Sequence, residues 1–263
     1  MNAPRIPRRS FAFCAGMMVL ALSSSTLCLA QSSQPPITPY VATAIQVKPD
    51  MLNEWLDLQK NEVVPALKKA GVSSRAIYAT TAGDNYEYVE VRPADKFASL
   101  DGPGPLNRAL GAEAAARLIA KLRKCLDGQR SWVFEAINEL SSLPPPNAPP
   151  LVGVSTRVRV APGRTQDYEN FVKTDIVPVY RKAKAEGKIA GYWVTRRSLG
   201  ANAQDRTLTV YYNKFADLDG GPILVRMLGQ AEADRVLAKV SSMRTPVEAV
   251  VRRRVADLSY GSL

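Results

Sequence analysis

The sequence predicts an α+β protein in which one βαββαβ module is written twice. Three observations carry this prediction. Val47 to Pro65 (VKPDMLNEWLDLQKNEVVP) returns without a gap 113 residues later as Val160 to Pro178 (VAPGRTQDYENFVKTDIVP). Phe97-Ala98-Ser99-Leu100-Asp101-Gly102, followed by Arg108 and Gly111, returns as Phe215-Ala216-Asp217-Leu218-Asp219-Gly220, followed by Arg226 and Gly229. Between the copies, Leu143 to Pro150 (LPPPNAPP) can continue neither helix nor strand and reads as a stiff linker. A repeat of this length fixes architecture before any local pattern does.

In the first copy Val41 to Val47 alternates as a strand. Pro49 opens a helix, as proline in a first turn should, and Gly71 ends it. Its apolar positions Leu52, Trp55, Leu56, Val63 and Leu67 follow helical spacing and would lie on a sheet. Ala76 to Thr81 and Tyr86 to Arg92 flank the turn Ala82-Gly83-Asp84-Asn85 as a hairpin. Ala112 to Leu126 is a second helix and Ser131 to Ile137 a last strand. The second copy gives strands near 153–160, 189–197, 206–213 and 247–255, with helices near 163–186 and 230–243.

This order, with both helices on one sheet face, is the ferredoxin-like split βαβ arrangement. It leaves the other sheet face bare. A second copy in the same chain is the obvious cover, so the two modules are expected to pack sheet to sheet as a pseudo-dimeric α/β barrel. The chain then needs no partner copy, and a monomer is expected. The expected boundaries are a signal peptide at 1–30, a leader at 31–39, modules at 40–138 and 152–256, a linker at 139–151 and a tail at 257–263.

The repeat's features resemble the dimeric α/β-barrel superfamily, particularly its NIPSNAP, EthD and antibiotic-biosynthesis-monooxygenase-like members. The resemblance rests on Val47-Lys48-Pro49 and Val160-Ala161-Pro162 after the opening strands, Val64-Pro65 and Val177-Pro178 in the long helices, and the Phe-Ala-x-Leu-Asp-Gly segments. It spans nearly all of residues 40–256 and implies fold more than activity. Haem-binding relatives use a histidine ligand, and several cofactor-free monooxygenases of the superfamily also rely on histidine. This chain has none. It therefore offers no Ser-His-Asp triad and no His-ligated zinc, and it lacks a Gly-rich nucleotide loop. No cofactor or metal is expected.

Strand alternation assigns faces. Thr43, Ile45 and Val47, with Thr156, Val158 and Val160, should face the helices, as should Val89, Val91, Leu208 and Val210. The opposite, interior face would carry Ala44, Gln46, Arg157, Arg159, Tyr86, Tyr88, Glu90, Arg92, Thr209 and Tyr211. Arg157, Arg159 or Arg92 could hold an acidic group while Tyr88 and Tyr211 contact a ring or acyl chain, with Glu90 nearby. Alternatively these groups satisfy one another, Glu90 pairing with an arginine, and leave no cavity. Arg108 and Arg226 either anchor their loops through carbonyls or bind anions at the mouth of each half. Tyr192-Trp193 is matched in the first copy only by Ile77-Tyr78, an asymmetry that could mark specialisation.

Three function classes follow: a barrel binding a small anionic or aromatic ligand, a cofactor-independent monooxygenase or isomerase, and a structural module with a solidly packed barrel. In the second, a tyrosine or Glu90 would move the proton and an arginine would hold the developing enolate.

Export is expected from the N-terminus. Arg5, Arg8 and Arg9 form a basic region, Phe11 to Leu22 an apolar stretch too short to span a bilayer, and Cys28-Leu29-Ala30 a cleavage site. Arg8-Arg9-Ser10-Phe11-Ala12 also reads as a twin-arginine signal, so either Sec or twin-arginine export to the periplasm or medium fits. Cleavage removes Cys14 and Cys28 and leaves only Cys125, read as a buried apolar residue near a helix end. It also lowers the formal charge from +11 to +8. The remaining excess is scattered apart from Arg252-Arg253-Arg254, so nucleic acid is not an expected partner. After cleavage no stable membrane insertion is expected. Intact mass or N-terminal sequencing of the exported protein should find Gln31 as its first residue.

Overall fold

The structure is a computed structural model describing residues 39–94, 98 and 101–262. The expected signal peptide and part of the Phe97–Leu100 repeat lie outside the described residues. Strands β1 (Pro39–Val47), β2 (Ala76–Ala82), β3 (Glu87–Pro93) and β4 (Leu126–Ala136) belong to the first copy. Strands β5 (Val152–Val160), β6 (Gly191–Leu199), β7 (Asp205–Tyr212) and β8 (Arg244–Arg254) belong to the second. They form one closed antiparallel barrel in the order β1-β3-β2-β8-β5-β7-β6-β4. The halves therefore close edge to edge, through β2 with β8 and β4 with β6.

Each long helix is interrupted at the same place. Helices α1 (Leu52–Leu58) and α2 (Val64–Lys69) are joined by a π turn over Gln59–Val63, and α5 (Thr165–Phe171) and α6 (Val177–Ala185) by one over Val172–Ile176. Pro65 and Pro178 explain the shared position. A proline lacks the N–H and crowds the carbonyl four residues back, and the helix accommodates it by widening by one residue. Two short helices were not anticipated: α3 (Pro105–Leu110) and α7 (Ile223–Leu228) precede α4 (Ala112–Lys124) and α8 (Gln230–Val240). Gly111 and Gly229 make these joints at φ 80°, where a side chain would be strained.

Strand β4 begins five residues before the expected Ser131. Its first residues pair with the end of β1, yet Asp127, Gly128 and Gln129 are exposed and polar, so no alternation signals them. After β4 and β8 the chain does something the repeat also encodes. Glu139-Leu140-Ser141 and Asp257-Leu258-Ser259 each cross to the other half. Ser141 Oγ accepts a hydrogen bond from Val194 N–H at 3.0 Å, and Ser259 Oγ accepts one from Ile77 N–H at 2.9 Å. Bridges Ser142 with Tyr192 and Arg75 with Tyr260 complete two reciprocal clamps. These bridges pair Tyr192-Trp193 with Arg75-Ala76 in the repeat, two residues before the expected Ile77-Tyr78.

Three cores result, one beneath each pair of helices and one inside the barrel. Ile45, Val47, Val158 and Val160 are buried under the helices, and Leu208 and Val210 pack there, as alternation requires. In β3 the expected faces are reversed. Val89 and Val91 pair with Ala44 and Ala42 and point into the barrel, whereas Tyr88, Glu90 and Arg92 lie on the helix side. The reason is a partner invisible to the pattern. Arg75, 1% exposed, donates to Glu90 Oε2 at 2.9 Å and to Gln59 Oε1 at 2.7 Å. Tyr88 packs on Trp55, with ring centroids 4.5 Å apart. Tyr86 sits in the β2–β3 turn at φ 62° and is exposed, so it too leaves the interior.

The clamps make a symmetric prediction. Leu140 and Leu258, both essentially fully buried, lock the two crossings. Leu140→Ala and Leu258→Ala should each lower the unfolding free energy by about 2–5 kcal/mol in urea titrations.

Candidate functional site

The barrel encloses a cavity of about 640 Å³. Both copies line it with apolar and polar groups. The first copy supplies an apolar patch of Ala42, Ala44, Val89, Val91, Trp132 and Phe134, together with the charged Asp84, Glu87 and Arg130. The second supplies Ser155, Arg157, Thr195, Arg197, Thr207 and Glu248. One end of the interior is filled by aromatic contacts: Trp193 meets Tyr40 edge-on at 5.0 Å and Phe134 at 5.3 Å.

The charges at the other end form a network around Asp205, which is 1% exposed. Arg159 Nε donates to Asp205 Oδ1 at 2.9 Å, and Arg157 Nη1 to Oδ2 at 3.1 Å. Arg157 also donates from Nε and Nη2 to Glu248 Oε2, at 3.0 and 2.7 Å. Burial works against the Arg157 charge, but the hydrogen bonds and charges of Glu248 and Asp205 outweigh it and raise its pKa. Burial likewise opposes the Asp205 carboxylate, and the two guanidiniums hold it below its usual range.

Arg197 is different. Its nearest carboxylate oxygen, on Asp205, is 3.8 Å away, beyond a hydrogen bond. Its guanidinium stacks over the Trp132 ring at 4.5 Å. Desolvation, with Arg157 as the next cause, pushes its pKa down to about 10. It is a partly buried cation lining the cavity, short of counter-charge. Arg130 also lines the cavity and makes only a long contact to the Gly200 carbonyl, at 3.4 Å. Arg252 pairs through Nη2 with Glu87 at 2.8 Å. Tyr78 and Tyr211 have pKa values raised by burial, so both hydroxyls stay protonated.

Of the residues singled out from the sequence, the structure brings Arg157 and Tyr211 to this cavity. Arg159 is half-exposed and braces Asp205. Glu90 and Arg92 line a separate helix-side cavity of about 350 Å³, where Glu90 is shared between Arg75 and Arg92. Tyr88 is core. Arg108 donates to the Pro103 carbonyl at 3.0 Å and Arg226 to the Asp217 carbonyl at 2.7 Å, so each anchors its loop. Sequence reasoning missed Arg197, Trp132 and Asp205. Alternation applied to β6 would have found the first, since Trp193, Thr195 and Arg197 share one face. Among the described residues, no three His, Cys, Asp or Glu side chains are placed to hold a metal ion. No helix among them is long and apolar enough to cross a membrane.

No protein-family model matches this chain, and no curated protein does. Solved structures do. A candidate monooxygenase from Fusobacterium nucleatum superposes with a TM-score of 0.57 at 12% identity, over 88% of this chain and 98% of its own. An anthrone oxidase-like protein gives 0.57 at 12% identity, over 86% and 96%. A candidate monooxygenase from Lactobacillus acidophilus gives 0.56 at 8%, over 86% and 99%. The chain has the dimeric α/β-barrel fold. At these identities the likeness is one of fold, and the cavity chemistry of this barrel stands on its own residues.

The network gives opposite expectations for two arginines of the same barrel. Arg157→Met removes a hydrogen-bonded partner of buried Asp205 and should cost roughly 1–3 kcal/mol in chemical denaturation at neutral pH. Arg197→Met removes a poorly compensated charge and should leave stability unchanged or raised. The Arg157 deficit should shrink as pH falls through the lowered Asp205 pKa, because stability carried by an ionised carboxylate is lost on protonation.

Proposed function

We propose that this barrel binds a small planar carboxylate, an aromatic acid, with its ring against the apolar wall and its acid group on Arg197. The observation that carries the reading is Arg197 itself. A guanidinium that is desolvated, stacked on an indole and without a hydrogen-bonded acid costs stability, and a bound carboxylate would offset that cost. Arg130 supplies a second cation on the same cavity, and Thr195 and Thr207 supply hydroxyls.

Binding without turnover fits this interior better than catalysis. A cofactor-independent oxygenase or isomerase needs a base facing the substrate. Glu248 is committed to Arg157 and Glu87 to Arg252, Asp84 reaches the cavity only from the exposed β2–β3 turn, and the buried tyrosines can donate but not accept a proton at neutral pH. Glu90 lies outside the barrel interior. The proposed setting is the periplasm or medium, with one chain acting alone, since the fold already supplies both halves of the barrel.

Calorimetric titration of the mature protein with benzoate, salicylate and 1-naphthoate tests this. At least one should bind, and Arg197→Met should weaken it tenfold or more while the melting temperature is held. Equal affinity of Arg197→Met for every acid that binds would overturn the reading. Oxygen uptake or product formation with the best ligand would replace it by the enzyme reading.

A further inference from the structure

A second cavity of about 290 Å³ lies at the opposite end of the barrel, under the proline linker. It shares a partition of Tyr78, Trp193 and Tyr211 with the first but has its own cation, Arg254. The linker roofing it is held in place. Lys184 Nζ donates to Ser142 Oγ and to the Leu143 carbonyl, both at 2.8 Å, and Arg254 N–H donates to the Leu151 carbonyl at 2.8 Å.

The repeat shows why the space exists. The bridges that match Tyr192 with Arg75 place Trp193 where the first copy has Ala76. The indole fills its side of the barrel end, while Ala76 leaves the facing side open, and both line the cavity. By the same correspondence, Ser259 matching Ser141, Arg254 stands where the first copy has Ala136. An alanine suffices there for the fold, so the charge answers another need.

Two residues that line this chamber carry a group without a partner among the described residues. Trp193 is 4% exposed, and its Nε1–H has no hydrogen-bond acceptor. Arg254 is half-buried and has no acid partner among the described residues. Its neighbours in sequence are accounted for: Arg252 pairs with Glu87, and Arg253 covers the Phe215 ring at 4.8 Å. The Arg254 charge is felt at the Tyr78 hydroxyl, whose pKa it lowers against the larger effect of burial.

We infer that this chamber is a second binding site, for a single-ring carboxylate. Its acid group sits on the Arg254 guanidinium, and its ring lies between the linker prolines and the aromatic partition. The volume lies at the lower limit of small-molecule pockets, enough for one ring with short substituents. A guanidinium with protonated phenols beside it selects an acceptor-only anion. The site is independent of the one assigned to Arg197.

The test is a titration of the mature protein with 4-fluorobenzoate, read by calorimetry and fluorine NMR, together with the indole N–H resonances. The three tryptophans give three such signals, and Trp193→Phe identifies the relevant one. The native protein should take up two equivalents. Arg254→Met should take up one, Arg197→Met one, and the double variant none. Arg254→Lys should retain the second equivalent with weaker affinity. Because Arg254 has no acid partner among the described residues, Arg254→Met should melt with the native protein, which separates lost binding from lost fold. If Arg254→Met keeps the native stoichiometry, or the native protein binds no 4-fluorobenzoate at millimolar concentration, the inference is wrong. If Arg197→Met changes nothing while Arg254→Met still loses an equivalent, this site stands and the Arg197 reading falls.

Discussion

A four-stranded antiparallel sheet has two edges whose N–H and C=O groups must find partners, and here each half supplies them for the other. The pairings β2–β8 and β4–β6 turn two open sheets into a ring, and everything else depends on that ring being closed. Closure creates an inside, which alternation then fills with every second side chain. It also sets the helices outside on two separate cores. The serine clamps after β4 and β8 reinforce the same seams, each half reaching across to satisfy an amide of its neighbour. Neither half could hold a defined cavity without the other.

Within the ring one carboxylate organises the polar end. Asp205 holds two arginines by hydrogen bonds and stands within 3.8 Å of a third. Glu248 relieves Arg157 but does not reach Arg197. The supply of counter-charge therefore runs out at the residue stacked on Trp132, and the proposed binding role of Arg197 rests on that shortage. Between Arg252 and Glu87, and around Glu90, each arginine has a carboxylate within 3.5 Å.

The sequence discloses the architecture because repetition is independent of local propensity. It discloses the helix-facing positions of β1, β5 and β7 because those strands separate apolar from polar residues. It misleads at β3, where the pattern is just as clean but its meaning is reversed. Val89 and Val91 belong to an apolar interior, and Glu90 has a buried arginine waiting on the helix side. Burial by an ion pair cannot be read from alternation, since Arg75 is fifteen residues upstream and on another strand's threshold. The site was half legible. Arg157 follows from its strand, but Arg197 matters only through what is missing around it, and a shortage of partners has no sequence signature.

The unequal inward residues of the two copies have a consequence for what a fused barrel permits. In a barrel made from two identical chains, every inward position occurs twice, related by a two-fold axis. An arginine at the position of Arg157 would then face its own image, and an alanine at Ala44 would be repeated across the lumen. Linking the copies abolishes that obligation. Matching inward positions can then differ, as Ala44 and Arg157 do, and the lumen gains a direction: a ligand inside has a head and a tail.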